Sequence, residues 1–64
     1  MSDLLWMQFV AQILTDLGVT DEADRLVLID KIRRRDDYKL AYVQWKGGAS
    51  DRVVKMLLQR AIGV

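Results

Sequence analysis

The hydrophobic positions of residues 4–17 recur with the period of an α-helix, and they cover an unusually wide part of its circumference. At about 100° per residue, nine apolar side chains fill a continuous arc of roughly 220°. They are Leu4, Trp6, Met7, Phe9, Val10, Ala11, Ile13, Leu14 and Leu17. A surface helix usually buries a stripe of little more than about 100°. The pattern therefore predicts a helix over about 3–17 that is either central to the fold or covered by a second chain.

Apolar periodicity predicts three further helices, over about 21–34, 37–46 and 50–62. The expected N-caps of the four helices are Ser2, Thr20, either Asp36 or Asp37, and Ser50. The expected stops are Gly18 for the first helix, Gly47 and Gly48 for the third, and Gly63 for the fourth. With short connections, these helices predict an all-α fold, a compact bundle of four short helices.

The second and third helices carry apolar groups in different arrangements. In the second, Leu26 and Val27 point away from the side that carries Ile32, so apolar groups lie on more than one face. In the third, Tyr38, Tyr42 and Trp45 recur at helical spacing. Core packing is the expectation for this aromatic stripe, and stacking on single-stranded nucleic acid bases is the alternative.

The composition fits a single folded domain over residues 1–64 that gains stability by association. The chain is 52% hydrophobic and contains no Cys and no His. A domain of this size has a small core and usually needs disulfides, a metal or oligomerisation to support it. Disulfides and a zinc site are excluded by the composition, so we expect a homodimer or a larger homo-oligomer.

Several classes of function are disfavoured by missing features. The longest uninterrupted apolar runs span four residues, far short of the roughly 20 that a membrane helix needs. Asp3 stands where a signal peptide would carry basic residues, and a cytoplasmic location is expected. Without His or Cys, and without a calcium or phosphate-binding loop, the chain is not expected to be an enzyme or to hold a metal or cofactor.

The net charge of +1 conceals two halves of opposite sign. Residues 1–30 contain six acidic residues and a single basic one, Arg25, whereas residues 31–64 contain nine basic and three acidic residues. The halves therefore carry net charges of −5 and +6. One interpretation is that they attract each other within the fold or across a dimer. The other is that the basic half faces a polyanion.

The N-terminal part of the first helix is the predicted partner-binding surface. Trp and Met are enriched at the centres of protein interfaces, and the wide apolar arc offers more surface than one small core uses. The candidate residues for contact with a second copy, or with another protein, are Leu4, Leu5, Trp6, Met7 and Val10. The alternative for Trp6 is a place in the core.

The runner-up function is a small DNA-binding regulator with a helix-turn-helix at residues 38–62. In such a motif the start of the second helix contacts bases and phosphates in the major groove. The candidate contacts are Arg33, Arg34, Arg35, Lys39, Lys46, Ser50, Arg52 and Lys55. Two features argue against it: Val43 is bulky where the helix crossing usually needs a small side chain, and Asp51 would face phosphate.

Overall fold

The computed structural model describes residues 3–63, which form four α-helices and no β-strand. The helices are α1 (Leu4–Asp16), α2 (Glu22–Ile32), α3 (Asp36–Lys46) and α4 (Asp51–Ile62). Each boundary lies within two residues of the one predicted from the sequence, so the all-α, four-helix fold is confirmed. None of the helices in this described part of the chain is long and apolar enough to cross a membrane.

Glycines in the left-handed conformation end α1 and α3, as the sequence indicates. Gly18 has a φ of +85°, and the following amide, that of Val19, donates to the carbonyl oxygen of Leu14 at 2.8 Å. This is the Schellman arrangement, in which the last carbonyls of a helix are satisfied by the chain that leaves it. Gly48, with a φ of +86°, ends α3 in the same way.

Two N-caps use side chains, and one of them differs from the prediction. Ser50 caps α4 as expected, its hydroxyl accepting from the amide of Val53 at 3.5 Å. The expected cap Thr20 is wrong: the carboxylate of Asp21 accepts from the amide of Asp24 at 3.1 Å. The backbone remains extended through Asp21, so α2 begins one residue later than predicted.

The start of α3 is also corrected by the structure. Arg35 occupies the N-cap position and makes no side-chain cap hydrogen bond. Asp36 and Asp37 therefore lie in the first turn, where their negative charge faces the positive end of the helix. The predicted cap of α1, Ser2, lies outside the described residues.

The hydrophobic core is built mainly from α1 and α4. The helices α1 and α4 contribute four buried residues each, whereas α2 and α3 contribute one each. The buried residues are Trp6, Val10, Ile13 and Leu14 from α1, Ile32 from α2, Ala41 from α3, and Val54, Leu57, Leu58 and Ala61 from α4. The helix α1 is therefore central for most of its apolar arc, the first of the two possibilities that its width predicted.

The two-sided character of α2 is confirmed. Leu26 and Val27 are 63% and 70% exposed, while Ile32 is buried. Arg25 attaches α2 to the end of α1: its guanidinium donates to the hydroxyl of Thr15 and to the carbonyl oxygen of Val19. One side of α2 thus packs on the domain, and its outer apolar residues have no cover within the described chain.

Candidate functional site: an aromatic groove beside α1, α2 and α3

Trp6 is the centre of an aromatic cluster that joins α1 to α3. Its ring centroid lies 5.3 Å from those of Tyr42 and Trp45 and 5.6 Å from that of Tyr38. Its indole N–H donates to the hydroxyl oxygen of Tyr38 at 2.9 Å. Edge and tilted contacts of this kind are favourable beyond the area they bury. The aromatic stripe of α3 therefore packs against the core, as the sequence analysis expects.

A groove of about 350 Å³ opens at the edge of this cluster. It is lined by residues from the start of α1, the end of α2 and the outer side of α3: Asp3, Trp6, Met7, Arg33, Tyr38, Lys39, Tyr42 and Val43. The hydroxyl of Tyr42 donates to the carboxylate of Asp3 at 2.8 Å. This bond and the Trp6–Tyr38 bond fix the three rings of the groove to the helices on both sides of it.

The rim of the groove combines apolar and positively charged side chains. Met7 is 37% exposed and Val43 is 62% exposed. Arg33 and Lys39 are both exposed and carry the positive charge. The arrangement offers a concave aromatic and aliphatic surface beside two cations, which is suited to binding an apolar group that has acidic neighbours.

The five predicted partner-binding residues are divided by the fold. Trp6 and Val10 are buried within the chain itself, at 3% and 1% exposure, so neither is available to a partner in this fold. Leu4, Leu5 and Met7 are exposed. Around α1, Leu4 lies about 60° from Met7, whereas Leu5 lies about 160° from it; neither residue lines the groove. Of the five, Met7 is therefore the exposed residue that lines the groove, and Leu4 is the exposed residue beside it on α1.

The predicted nucleic-acid contacts are also divided. Only Arg33 and Lys39 of that set line the groove, so the structure brings them together with Met7 and Trp6 of the partner set. The lining does not include Arg34, Arg35, Lys46, Ser50, Arg52 or Lys55. Of these, Lys55 is half-buried and the other five are exposed.

The crossing of α3 and α4 differs from the expectation that Val43 would obstruct it. Val43 is 62% exposed on the outer side of α3, whereas Ala41 is fully buried in the core beside residues of α4. Ala41 is therefore the small side chain of α3 that packs in the core, six residues before Gly47 rather than the four that the sequence argument used. Because the Val43 side chain is exposed, its size does not obstruct the packing of α3 on α4 and is not an argument against a helix-turn-helix.

The charged residues remain largely on the surface. The ion pairs of the described residues connect Asp30 to Arg33 and Arg34 at 3.9 Å, between side chains that are 61–74% exposed. Exposed pairs of this kind stabilise a protein by at most about 1 kcal/mol. They join one acid of the first half to two bases of the second half, within one turn at the end of α2.

Half of the groove lining, namely Asp3, Tyr38, Tyr42 and Val43, was not among the predicted site residues, although base stacking was the alternative interpretation for Tyr38 and Tyr42. The sequence did contain a signal for Tyr38. A buried indole N–H needs an acceptor, and the tyrosine hydroxyls of the aromatic stripe were candidate acceptors for Trp6. No group of three or more acidic, His or Cys side chains within residues 3–63 could hold a metal ion.

The chain matches no protein-family model, no curated protein and no solved structure. The groove and the exposed surfaces beside it are therefore the basis for a functional proposal.

Proposed function

We propose that this protein is a small, non-enzymatic helical module of the cytoplasm that works by protein association. It dimerises through the groove and the adjoining start of α1, and the same surface is available to another protein. The observation that carries the proposal is the exposed apolar surface at the groove: Met7 and Val43, which line it, are 37% and 62% exposed, and Leu4, beside Met7 on α1, is 62% exposed.

The composition of this surface supports association rather than chemistry. Aromatic residues, Met and Arg are the types enriched at the centres of protein interfaces. The groove provides Trp6, Tyr38, Tyr42, Met7 and Arg33 in one place. The chain has no His or Cys, the side chains most often used for proton transfer and nucleophilic attack near neutral pH.

Paired substitutions on α1 test the proposal. Leu4→Glu places a charge beside Met7, and Leu5→Glu makes the same change about 100° around the helix from Leu4 and about 160° from Met7. Both side chains are more than 60% exposed, so neither change is expected to unfold the chain. In sedimentation equilibrium at micromolar concentration, we expect the wild type and Leu5→Glu to have at least twice the 7.4 kDa chain mass. Leu4→Glu is expected to be shifted towards the single chain.

Two outcomes would contradict the proposal. A wild-type chain that remains monomeric throughout the micromolar range would exclude self-association. A dimer that Leu4→Glu leaves intact while Leu5→Glu dissociates it would place the interface on the other side of α1.

DNA binding is a second proposal, supported by the α3–α4 geometry. Ala41 provides the small residue for a close crossing, Gly48 the left-handed turn, and Ser50 the cap of α4. Arg52 is exposed in the first turn of α4, where a recognition helix contacts DNA.

The salt dependence of DNA binding tests this second proposal. If Arg52 and Lys55 each contact a phosphate, the double variant Arg52→Ala, Lys55→Ala should reduce the salt slope by roughly 1–2 units, since each contact contributes about 0.9. Arg60→Ala, at the far end of α4, is the control and should leave the slope unchanged. No retardation of duplex DNA by the wild type at low salt would exclude this function.

A further inference from the structure

We propose that the groove receives the outer face of α2 from a second copy of this chain, and that the contact is made reciprocally in a twofold dimer. This inference rests on the proposed self-association and identifies the surface that occupies the groove. Its basis is the match between two surfaces of the same chain: an apolar helix face with exposed carboxylates beside it, and an apolar groove with exposed cations at its rim.

The outer face of α2 has an apolar centre with acidic neighbours. Leu26 and Val27 are among the most exposed large hydrophobic residues of the chain, at 63% and 70%. Glu22 and Asp30 lie one helical turn before and after Leu26, and both are exposed. Leu26 is thus exposed apolar surface between two carboxylates, and apolar surface gains free energy when another surface covers it.

The groove has the complementary features. Met7 and Val43 offer the aliphatic contact that Leu26 lacks in the single chain, beside the rings of the aromatic cluster. Arg33 and Lys39 on the rim carry positive charges, and Glu22 and Asp30 carry negative ones. Asp30 already lies 3.9 Å from Arg33 and Arg34 of its own chain. Because such exposed pairs contribute at most about 1 kcal/mol, the dimer contact can exchange them for pairs between the two copies. With Leu26 in the groove, carboxylates one turn to either side of it would face the two cations. Complementary charge around an apolar contact fixes the orientation of two partners and raises their rate of association.

The positions of the two surfaces favour a reciprocal dimer. Arg33 lies only about 20° from Leu26 around the axis of α2 and about 10 Å further along it. The α2 face and the groove are thus neighbours on one side of the molecule. In a twofold dimer, each contact between residue i of one copy and residue j of the other occurs twice. Neighbouring complementary surfaces satisfy this requirement with the twofold axis between them.

Charge reversal on each surface provides a direct test. The groove variant carries Arg33→Glu and Lys39→Glu, and the α2 variant carries Glu22→Lys and Asp30→Lys. Each variant alone opposes like charges at both contacts, so its dimer should dissociate at least roughly tenfold more readily than the wild type. Mixed in equal amounts, the two variants oppose unlike charges at both contacts, and a heterodimer of near wild-type affinity should form. Sedimentation equilibrium measures all of these species.

Two controls separate this effect from changes in net charge or folding. The variant Arg52→Glu, Arg60→Glu changes the net charge by as much as the groove variant but on α4, and it should dimerise like the wild type. Leu26→Ala removes the proposed anchor without changing any charge, and it should weaken the dimer as well. Far-UV circular dichroism checks that every variant retains its helices, which is expected because all of the altered residues are exposed.

The possible failures are distinguishable. If Leu4→Glu dissociates the dimer but the charge variants and Leu26→Ala behave like the wild type, self-association stands and the α2 contact is overturned. If the groove variant is monomeric and the mixture does not recover a heterodimer, the groove is used by a surface other than α2, and the inference is again overturned. A wild-type monomer would overturn both this inference and the proposed self-association.

Discussion

Helices α2 and α4 are nearly equal in length, 11 and 12 residues, but they contribute very differently to the core. The helix α4 buries Val54, Leu57, Leu58 and Ala61, whereas α2 buries Ile32 alone. Both helices carry several aliphatic residues. What separates them is the placement of those residues around the helix, since α4 gathers most of them on one side and α2 divides them between two.

This contrast shows that hydrophobic content and hydrophobic burial are different properties of a helix. A helix with a single apolar stripe is held by the core, and most of its stability comes from tertiary packing. A helix with two apolar sides can pack only one of them in a four-helix domain of this size. The outer side of α2 is therefore surface that folding does not use, and association is the use that we propose for it.

Truncation of one leucine in each helix is the most severe test of this contrast. Leu58→Ala removes a fully buried side chain of α4 and should lower the free energy of unfolding by about 2–5 kcal/mol. Leu26→Ala makes the same chemical change on α2 at 63% exposure, and its effect should be within about 0.5 kcal/mol. Urea unfolding at a concentration where the chain is monomeric measures both. Equal losses would mean that α2 contributes to the core through its outer side.

A second test compares how the two helices are joined to α3. The connection to α4 contains Gly47, with a φ of −79°, and Gly48, with a φ of +86°. Nothing lies within 4 Å of a Cβ added at Gly48, so Gly48→Ala should cost about 1–2 kcal/mol through the left-handed backbone alone. Gly47→Ala is the matched control and should be neutral or slightly stabilising.

The connection from α2 to α3, residues 33–35, contains no glycine. Replacing one of these arginines by alanine should change the stability as little as Gly47→Ala does. Thermal unfolding of this variant, Gly47→Ala and Gly48→Ala would show this. If Gly48→Ala were as stable as Gly47→Ala, the turn before α4 would not depend on the left-handed conformation.

The smallest expected effects concern the N-caps of the two helices. Asp21 caps α2 through a hydrogen bond of 3.1 Å, and Ser50 caps α4 through one of 3.5 Å. Replacing either by alanine should cost about 0.5–2 kcal/mol, with Asp21→Ala the larger because its hydrogen bond has the better geometry. Amide exchange at Asp24 and Val53 reports each cap separately. If Ser50→Ala accelerated exchange at Val53 more than Asp21→Ala accelerated exchange at Asp24, the predicted order of the two caps would be wrong.

Part of the candidate site was predictable because residue type alone indicates a surface preference. Met7 and Leu4 were recognised as interface candidates, and Arg33 and Lys39 as binding cations, but for two different functions. The sequence contained no information that these residues would share one groove. Their meeting depends on how the end of α2 and the outer side of α3 lie against the start of α1, and each of those positions follows from packing between distant parts of the chain.

The sequence by itself determined the four helices, the glycine stops of three of them and the two-sided nature of α2. These features are local, because apolar periodicity, caps and left-handed glycines act within a few residues of chain. Only the tertiary structure decided which part of the wide arc on α1 is covered, with Trp6 and Val10 inside and Leu4 and Met7 outside. The physical reason is that periodicity gives the angle of a side chain around its own helix, whereas burial depends on where the neighbouring helices lie.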